Sequence, residues 1–520
     1  MESILVYDTT LRDGSQGEKI NFSAEDKVRI AQKLDSVGIH YIEGGWPGSS
    51  PKDVQFFEAA KKVPFKRARL AAFGSTRKPN TAAENDENLI ALLRSKTPAV
   101  TIFGKTWDLH VKKIIATTLK ENLAMIHDTV AYLISQGREV IYDAEHFFDG
   151  YKNNPKYAMK TIDAAVSGGA HVIVLCDTNG GTMPFEIEDI MDQVCPKIPV
   201  KVGIHTHNDC GLAVANTLSA VRCGAVMVQG TVNGYGERCG NADLTSVVPN
   251  LQLKMGRSCM TDKNLRHLTE VSRYVSEVAN MTPFNGRPFV GQSAFAHKGG
   301  IHVNAIMKTP MAYEHVNPEA TGNERRVLMS DLCGKSNVDY KARELKIELG
   351  GNGFDSKRIA QEIKRLEHQG YQFDAAEGSF ELLLKRLTGQ FKPLFELESF
   401  RVAVEKEKDL PCRAYATIKI SVDGQEEITA AEGNGPVSAL DNALRKALNK
   451  FFLVDLETMQ LVDFKVRVIE GREGTGARVK VFIESRDQKR VWSTIGVSTD
   501  IIEASWQALE DSFQHKLSKV

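Results

Sequence analysis

The sequence has no surplus of either charge: 66 lysines and arginines balance 66 aspartates and glutamates over 520 residues. That balance asks for neither nucleic acid nor an anionic membrane as partner, and no block of like charge alters it. No apolar run is long enough to cross a bilayer, and Met1, Glu2, Ser3 and Ile4 lead no basic stretch into an apolar one. A soluble, cytoplasmic protein is the expectation. Cys-x-x-Cys pairs are also missing: the 8 cysteines (176, 195, 210, 223, 239, 259, 333, 412) are scattered through mostly apolar or glycine-rich settings. This excludes a disulfide frame and a thiolate zinc cluster, and leaves reduced core thiols.

What is present is a 42% hydrophobic chain, long enough for more than one domain. Short β-branched runs at 4–9, 41–44, 69–73, 99–103, 139–143, 171–177, 200–205 and 227–232 alternate with amphipathic stretches such as 24–37, 84–94, 120–134, 156–168 and 212–223. Eight such units in about 250 residues predict an α/β chain built on a (β/α)8 TIM barrel, with a doubly wound sheet as the alternative. A helical piece follows at 262–280, then an irregular glycine- and proline-rich stretch at 283–300, then helices at 340–349, 357–368 and 377–387. From about residue 391, strands at 395–404, 413–422 and 426–432 lead into a helix at 437–451, and strands at 461–469, 478–484 and 490–495 into one at 500–517. The expected layout is a catalytic barrel over 1–275, linker subdomains over 276–390 and an α+β domain over 391–520 made of one βββα unit written twice.

In a barrel, function gathers where strands end. Unusual polar clusters fall there: residues 8–16, 143–146, 177–181, 205–209 and 233–241. Side chains two apart on a strand share a face, so His205 and His207 can put two imidazoles on one point. With Asp13 they supply a carboxylate and two imidazoles, a donor set for a divalent metal with coordination positions left open. Asn241 can complete the set directly or through water. The competing readings are satisfied core histidines and an Asp13 that caps a helix or pairs with Arg12; the barrel setting favours the metal.

Arg12 beside such a metal can stabilise a developing oxyanion or hold a carboxylate; a salt bridge with Asp13 or Glu145 is its alternative. Glu145, at the end of an apolar strand, can have its pKa raised toward general acid-base duty, or can pair with Arg12. Thr178 can hydrogen-bond a substrate carboxylate, and Gln16 is a further substrate-binding candidate, with bracing its loop as the alternative. Gly234 and Gly236 resemble a dinucleotide loop only weakly, since the spacing to Gly240 is wrong for one. His302 and Tyr313 lie outside the barrel, where a structural role is the default.

Three ordered motifs then carry a resemblance: Asp8-Thr9-Thr10-Leu11-Arg12-Asp13-Gly14, His205-Thr206-His207-Asn208-Asp209 and Gly234-Tyr235-Gly236-Glu237-Arg238-Cys239-Gly240-Asn241-Ala242. Together they resemble the metal-dependent Claisen-condensation barrels that include the isopropylmalate, homocitrate and citramalate synthases. Gly433-Asn434-Gly435-Pro436-Val437-Ser438-Ala439-Leu440-Asp441 is similar to the start of the helix in that family's allosteric domain. Glu43-Gly44-Gly45-Trp46-Pro47-Gly48-Ser49, the stretch 316–326 with Gly322-Asn323-Glu324-Arg325-Arg326, and 496–509 look like the citramalate synthase branch. After Gly300-Ile301-His302-Val303 the chain departs from the family pattern, with Asn304 where Asp is expected.

The resemblance implies an acyltransferase that condenses acetyl-CoA with pyruvate to (R)-citramalate and CoA, an entry to isoleucine synthesis fed back by isoleucine. It implies a divalent metal (Mg, Mn or Zn) on Asp13, His205, His207 and Asn241, with Arg12 at the keto oxygen and Thr178 at the carboxylate. Glu145, His302 and Tyr313 are its candidates for the base and relay, and a homodimer is carried over. Phe73, Phe103 and Tyr142 are the candidates for narrowing the keto-acid pocket, with ordinary barrel filling as the alternative. The rival readings are a 2-isopropylmalate synthase with a larger pocket, a carbon-carbon lyase, and a non-catalytic amino-acid sensor.

Overall fold

The computed structural model describes residues 3–350, 353, 355–452, 456–469, 474 and 476–519. Eight parallel strands close into a barrel in sequence order: β1 (Leu5–Asp8), β2 (Tyr41–Gly45), β3 (Arg69–Ser75), β4 (Ala99–Lys105), β5 (Glu139–Glu145), β6 (Val172–Asp177), β7 (Lys201–Thr206) and β8 (Met227–Gly230). β8 returns to β1 with Leu5 opposite Met227 and Asp8 opposite Gly230. The barrel expectation is borne out over the doubly wound alternative, because the strands pair only with their sequence neighbours and the ends meet.

The helices around it start on local signals. Ser23 caps Ala24–Ser36 by accepting from the Asp26 N–H, and Asp26 reciprocates. Pro51–Ala60 and Pro184–Val194, which periodicity did not single out, begin on a proline whose fixed φ suits the first helical position. The helical piece expected over 262–280 is broken into Asp262–Leu265 and Leu268–Val278. The turn Pro318–Thr321 packs beside that break, where the Thr269 hydroxyl donates to the Thr321 carbonyl at 2.8 Å.

Strand alternation sorts the barrel's core into two layers. Ile42, Val100, Tyr142 and Ile204 face the helices. Tyr7, Ile141, Val174 and Met227 fill the interior.

The described chain divides into two compact units: one runs to Phe295 and takes in Val316–Glu324, the other holds Ala296–His315 and everything from Arg325 onward. In the second unit β9 (Ala296–His297) pairs with β10 (Arg326–Val327) in parallel. Gly300–Lys308 is helical, so His302 sits on a helix that the sequence left within or beyond an irregular stretch. Helices Lys335–Leu345, Ser356–His368 and Glu377–Leu387 share a small core of Val338, Ile359, Ile363, Phe380 and Leu384. β11 (Glu396–Glu405), β12 (Arg413–Val422) and β13 (Gln425–Gly433) form one antiparallel sheet, and β14 (Gln460–Val468), β15 (Val479–Arg486) and β16 (Val491–Ser498) another. Each is followed by its helix, Pro436–Leu448 or Ile501–Leu517, as the twice-written unit predicts.

Candidate active site

Asp13 is set by a tight turn off β1, in which the backbone N–H groups of Arg12, Asp13 and Gly14 all point at the Thr9 carbonyl at 2.8–3.1 Å. His205 lies in β7 and His207 just beyond it, bridged to Asn241. His205 Nε2 is 3.5 Å from Asp13 Oδ2, and one ligand atom from each of Asp13, His205 and His207 falls within 4.8 Å of the others. All three residues are buried. Two polar atoms at this point, His207 Nδ1 and Asn241 Oδ1, are buried without a hydrogen-bond partner among the described residues. Buried polar atoms are ordinarily satisfied, so an unpartnered imidazole nitrogen and an unpartnered amide oxygen beside a carboxylate fit the donor set of a divalent cation. Gly236 is required beside it: at φ +155° a Cβ would meet Asn241 Nδ2 at 2.2 Å.

Charge at the site is set by burial first. Burial pushes the His205 imidazole down despite Asp13, and burial with His205 alongside takes His207 down to about 3. Both are therefore neutral, the form that ligates. Burial raises the Asp13 carboxyl, but Arg12, His205, His207 and an Asn241 hydrogen bond outweigh it and hold the group below its ordinary value.

Arg12 does not pair with Glu145. Its Nε donates to Glu43 Oε1 at 2.5 Å, it lies 3.4 Å from Asp13 Oδ1, and its guanidinium carbon stands 3.8 Å above the Phe73 ring. Burial works against the Arg12 charge, and Asp13 and Glu43 more than offset it. Glu43 is in turn held by the Tyr7 hydroxyl at 2.7 Å, which also meets Thr101 at 2.6 Å. Glu145 forms an ion pair with Lys105 from β4 and is partly exposed. The desolvated carboxyls lie deeper: burial raises Glu43 above its usual range and, with Glu43 adding to it, pushes Asp143 well up.

These groups line one cavity of about 210 Å³ at the carboxyl end of the strands, bounded by Arg12, Asp13, Gln16, Trp46, Phe73, Phe103, Asp143, Glu145, Cys176, Thr178, His205, His207, Glu237 and Arg238. Phe73 and Phe103 stack at 5.3 Å and Trp46 closes on both edge-on at 5.8 and 5.5 Å. Tyr142 does not join them. Next to inward-facing Asp143 on the same strand, it turns to the helix side, and a Cβ on Gly104 would meet its hydroxyl at 2.6 Å. Thr178 Oγ1 accepts from the His146 N–H at 2.8 Å, which leaves its own proton to give. His302 and Tyr313 belong to the second unit, where their rings stack at 4.2 Å.

Several groups at the site went unassigned in the sequence. Trp46, Glu237 and Arg238, which line the cavity, and Glu43, which holds Arg12, stand inside the quoted motifs without a role. Arg238 binds Asp209 Oδ1 at 2.7 Å and the Thr178 carbonyl at 2.7 Å, tying three loops together. Trp46 is held by Asn88 through its indole N–H at 2.7 Å and by Asp53 through its backbone N–H at 2.8 Å, an approach that Gly45 permits because a Cβ there would lie 2.3 Å from Asp53.

The HMGL-like family matches residues 3–275, the homocitrate synthase post-HMGL domain-like family 289–371, and the LeuA allosteric (dimerisation) domain 374–517. An (R)-citramalate synthase of Aquifex aeolicus (strain VF5) is 54% identical over 521 residues, covering 100% of this chain and 98% of that protein. One from Geobacter sulfurreducens is 53% identical over 520 residues, with the same coverage of 100% and 98%. A probable 2-isopropylmalate synthase of Methanopyrus kandleri is 31% identical over 510 residues, covering 98% of this chain and 97% of its own. Both families of relatives run the full length, and identity separates them: the chain belongs to the (R)-citramalate synthase family of HMGL-like enzymes.

Proposed function

We propose that this chain condenses acetyl-CoA with pyruvate to give (R)-citramalate and free CoA. The observation that carries the reading is the convergence, in one cavity, of the Asp13–His205–His207 set, the Arg12 guanidinium and an aromatic wall. Asp13, His205 and His207, with Asn241 completing the set, would hold a divalent cation (Mg, Mn or Zn), which would supply Lewis acidity toward pyruvate. Arg12, fixed by Glu43, faces the keto oxygen as it takes on negative charge. Thr178 and Gln16 orient the carboxylate, while Phe73, Phe103 and Trp46 leave room for a methyl group. Glu145 takes the proton from the acetyl-CoA methyl, and Lys105 holds its carboxylate in place. The enolate carbon attacks C2 of pyruvate, and water then cleaves the thioester to release CoA.

The stacked His302 and Tyr313 are assigned to the proton relay, and the protein to a homodimer. Exposed apolar side chains on β14 (Leu461, Val462, Phe464, Val466, Val468) and the match to a dimerisation domain support the dimer. The duplicated domain is assigned feedback inhibition by isoleucine, the enzyme a place at the entry to isoleucine synthesis, and the protein a cytoplasmic location. Among the described residues no helix is long and apolar enough to cross a membrane.

A keto-acid panel with release of CoA as readout, with and without isoleucine or leucine, tests the proposal. An apolar wall discriminates by about 1–3 kcal/mol per methylene, so weak turnover of 2-ketobutyrate is expected and less of 2-ketoisovalerate. Comparable turnover of 2-ketoisovalerate and pyruvate removes the assignment in favour of an isopropylmalate synthase, and no turnover of any keto acid favours a sensor.

A further inference from the structure

Gln229 is out of place in its strand. β8 reads Met227-Val228-Gln229-Gly230, and the glutamine is 0% exposed. An apolar side chain would fill the same interior without a polar group to satisfy, so a buried amide needs partners on both of its ends. It has them. The register sets Gln229 beside His205 of β7 on one side and Tyr7 of β1 on the other. Its Oε1 lies 2.9 Å from His205 Nδ1, and its Nε2 donates to Asp143 Oδ1 at 3.0 Å, on a strand that does not neighbour β8.

The direction of these two bonds matters. The Gln229 amide nitrogen donates to Asp143 Oδ1, an oxygen that can accept whether or not that carboxyl carries its proton, and this turns the amide oxygen toward His205. An imidazole nitrogen that meets a carbonyl oxygen carries the proton, and the other nitrogen then keeps its lone pair. For His205 that other nitrogen is Nε2, the atom 3.5 Å from Asp13 Oδ2. We propose that Gln229, anchored by Asp143, is a positioning residue that fixes the His205 tautomer and ring so that Nε2 is presented to the metal. The inference rests on the metal site proposed above and adds the residues that prepare one of its ligands before any ion arrives.

The test uses the full-length chain stripped of metal, with Mn2+ alone as probe and free Mn2+ counted by electron paramagnetic resonance. Loss of an outer partner of a ligating histidine weakens metal binding by about 10- to 100-fold, and Gln229→Met is expected to do so. Gln229→Glu combined with Asp143→Asn restores the bond order, since a carboxylate oxygen again accepts from His205 and the new amide donates to it. That double variant is expected to bind Mn2+ as tightly as the parent or more tightly, which a packing role alone would not produce. It also carries the test if Gln229→Met does not fold. Binding by Gln229→Met within about twofold of the parent overturns the inference, as does a double variant with the parent's thermal midpoint and no recovery of affinity. A parent chain that takes up no Mn2+ overturns the metal site itself, and this inference with it.

Discussion

Asp8 offers the clearest quantitative check on burial at the carboxyl end of the barrel strands. It is fully buried at the end of β1, with the Thr10 N–H and hydroxyl each 2.9 Å from its oxygens. Burial pushes its carboxyl up, the Thr10 bonds only partly oppose it, and it titrates at about 7 against 3.8 when unperturbed. Between those values the folded chain keeps a proton that the unfolded chain has released. Stability therefore falls as pH rises through this window and levels off above about 7. From pH 5 to pH 8 the loss due to this one group is about 2.5 kcal/mol. Asp8→Asn removes the ionisation, so its stability relative to the parent should improve by that amount over the same interval. Trp492→Phe and Trp506→Phe in both proteins leave Trp46 and Trp107 as fluorescent reporters of barrel unfolding in urea. A stability difference between the two proteins that is flat from pH 5 to pH 8 refutes the reasoning.

Glu43→Gln keeps a group for Tyr7 but drops the charge that holds Arg12, and kcat/KM for pyruvate should fall by about 100-fold with the fold intact; unchanged activity would remove Glu43 from the Arg12 account. Phe103→Leu loosens the stacked wall, and the kcat/KM ratio of 2-ketobutyrate to pyruvate should rise by about 10-fold, measured by thiol release. A ratio unmoved by this change would place the keto-acid side chain elsewhere. Dialysis against a chelator should abolish activity and lower the thermal midpoint, with both restored by a divalent cation. Full activity in a chain shown by elemental analysis to hold no metal would contradict the site.

The two-residue spacing of His205 and His207 and the rhythm of eight strands were legible in the sequence because they are local. Alternation on one strand and the length of a βα unit follow from backbone geometry, and they brought the fold, the Asp13–His205–His207 set and the Phe73–Phe103 wall within reach of reading alone. The resemblance added what spacing could not, the branch of the family. Partners across the barrel were beyond both. Of the two carboxylates offered as alternative partners of Arg12, Asp13 lies beside it and Glu145 does not, and the closest partner, Glu43, was not foreseen; Glu145, left open between desolvation and a pair with Arg12, pairs with Lys105 instead, and the burial falls on Asp143 two residues earlier. Tyr142, offered either as pocket wall or as barrel filling, is core: a single step of alternation carries its side chain to the other face from the cavity. Gln229 was invisible because its meaning lies in His205 and Asp143, 24 and 86 residues away in the chain. Sequence determines which elements form and which groups each can present; closure of the barrel decides which strand ends face each other, and so which charges are paired, which are desolvated and which histidine nitrogen is left free.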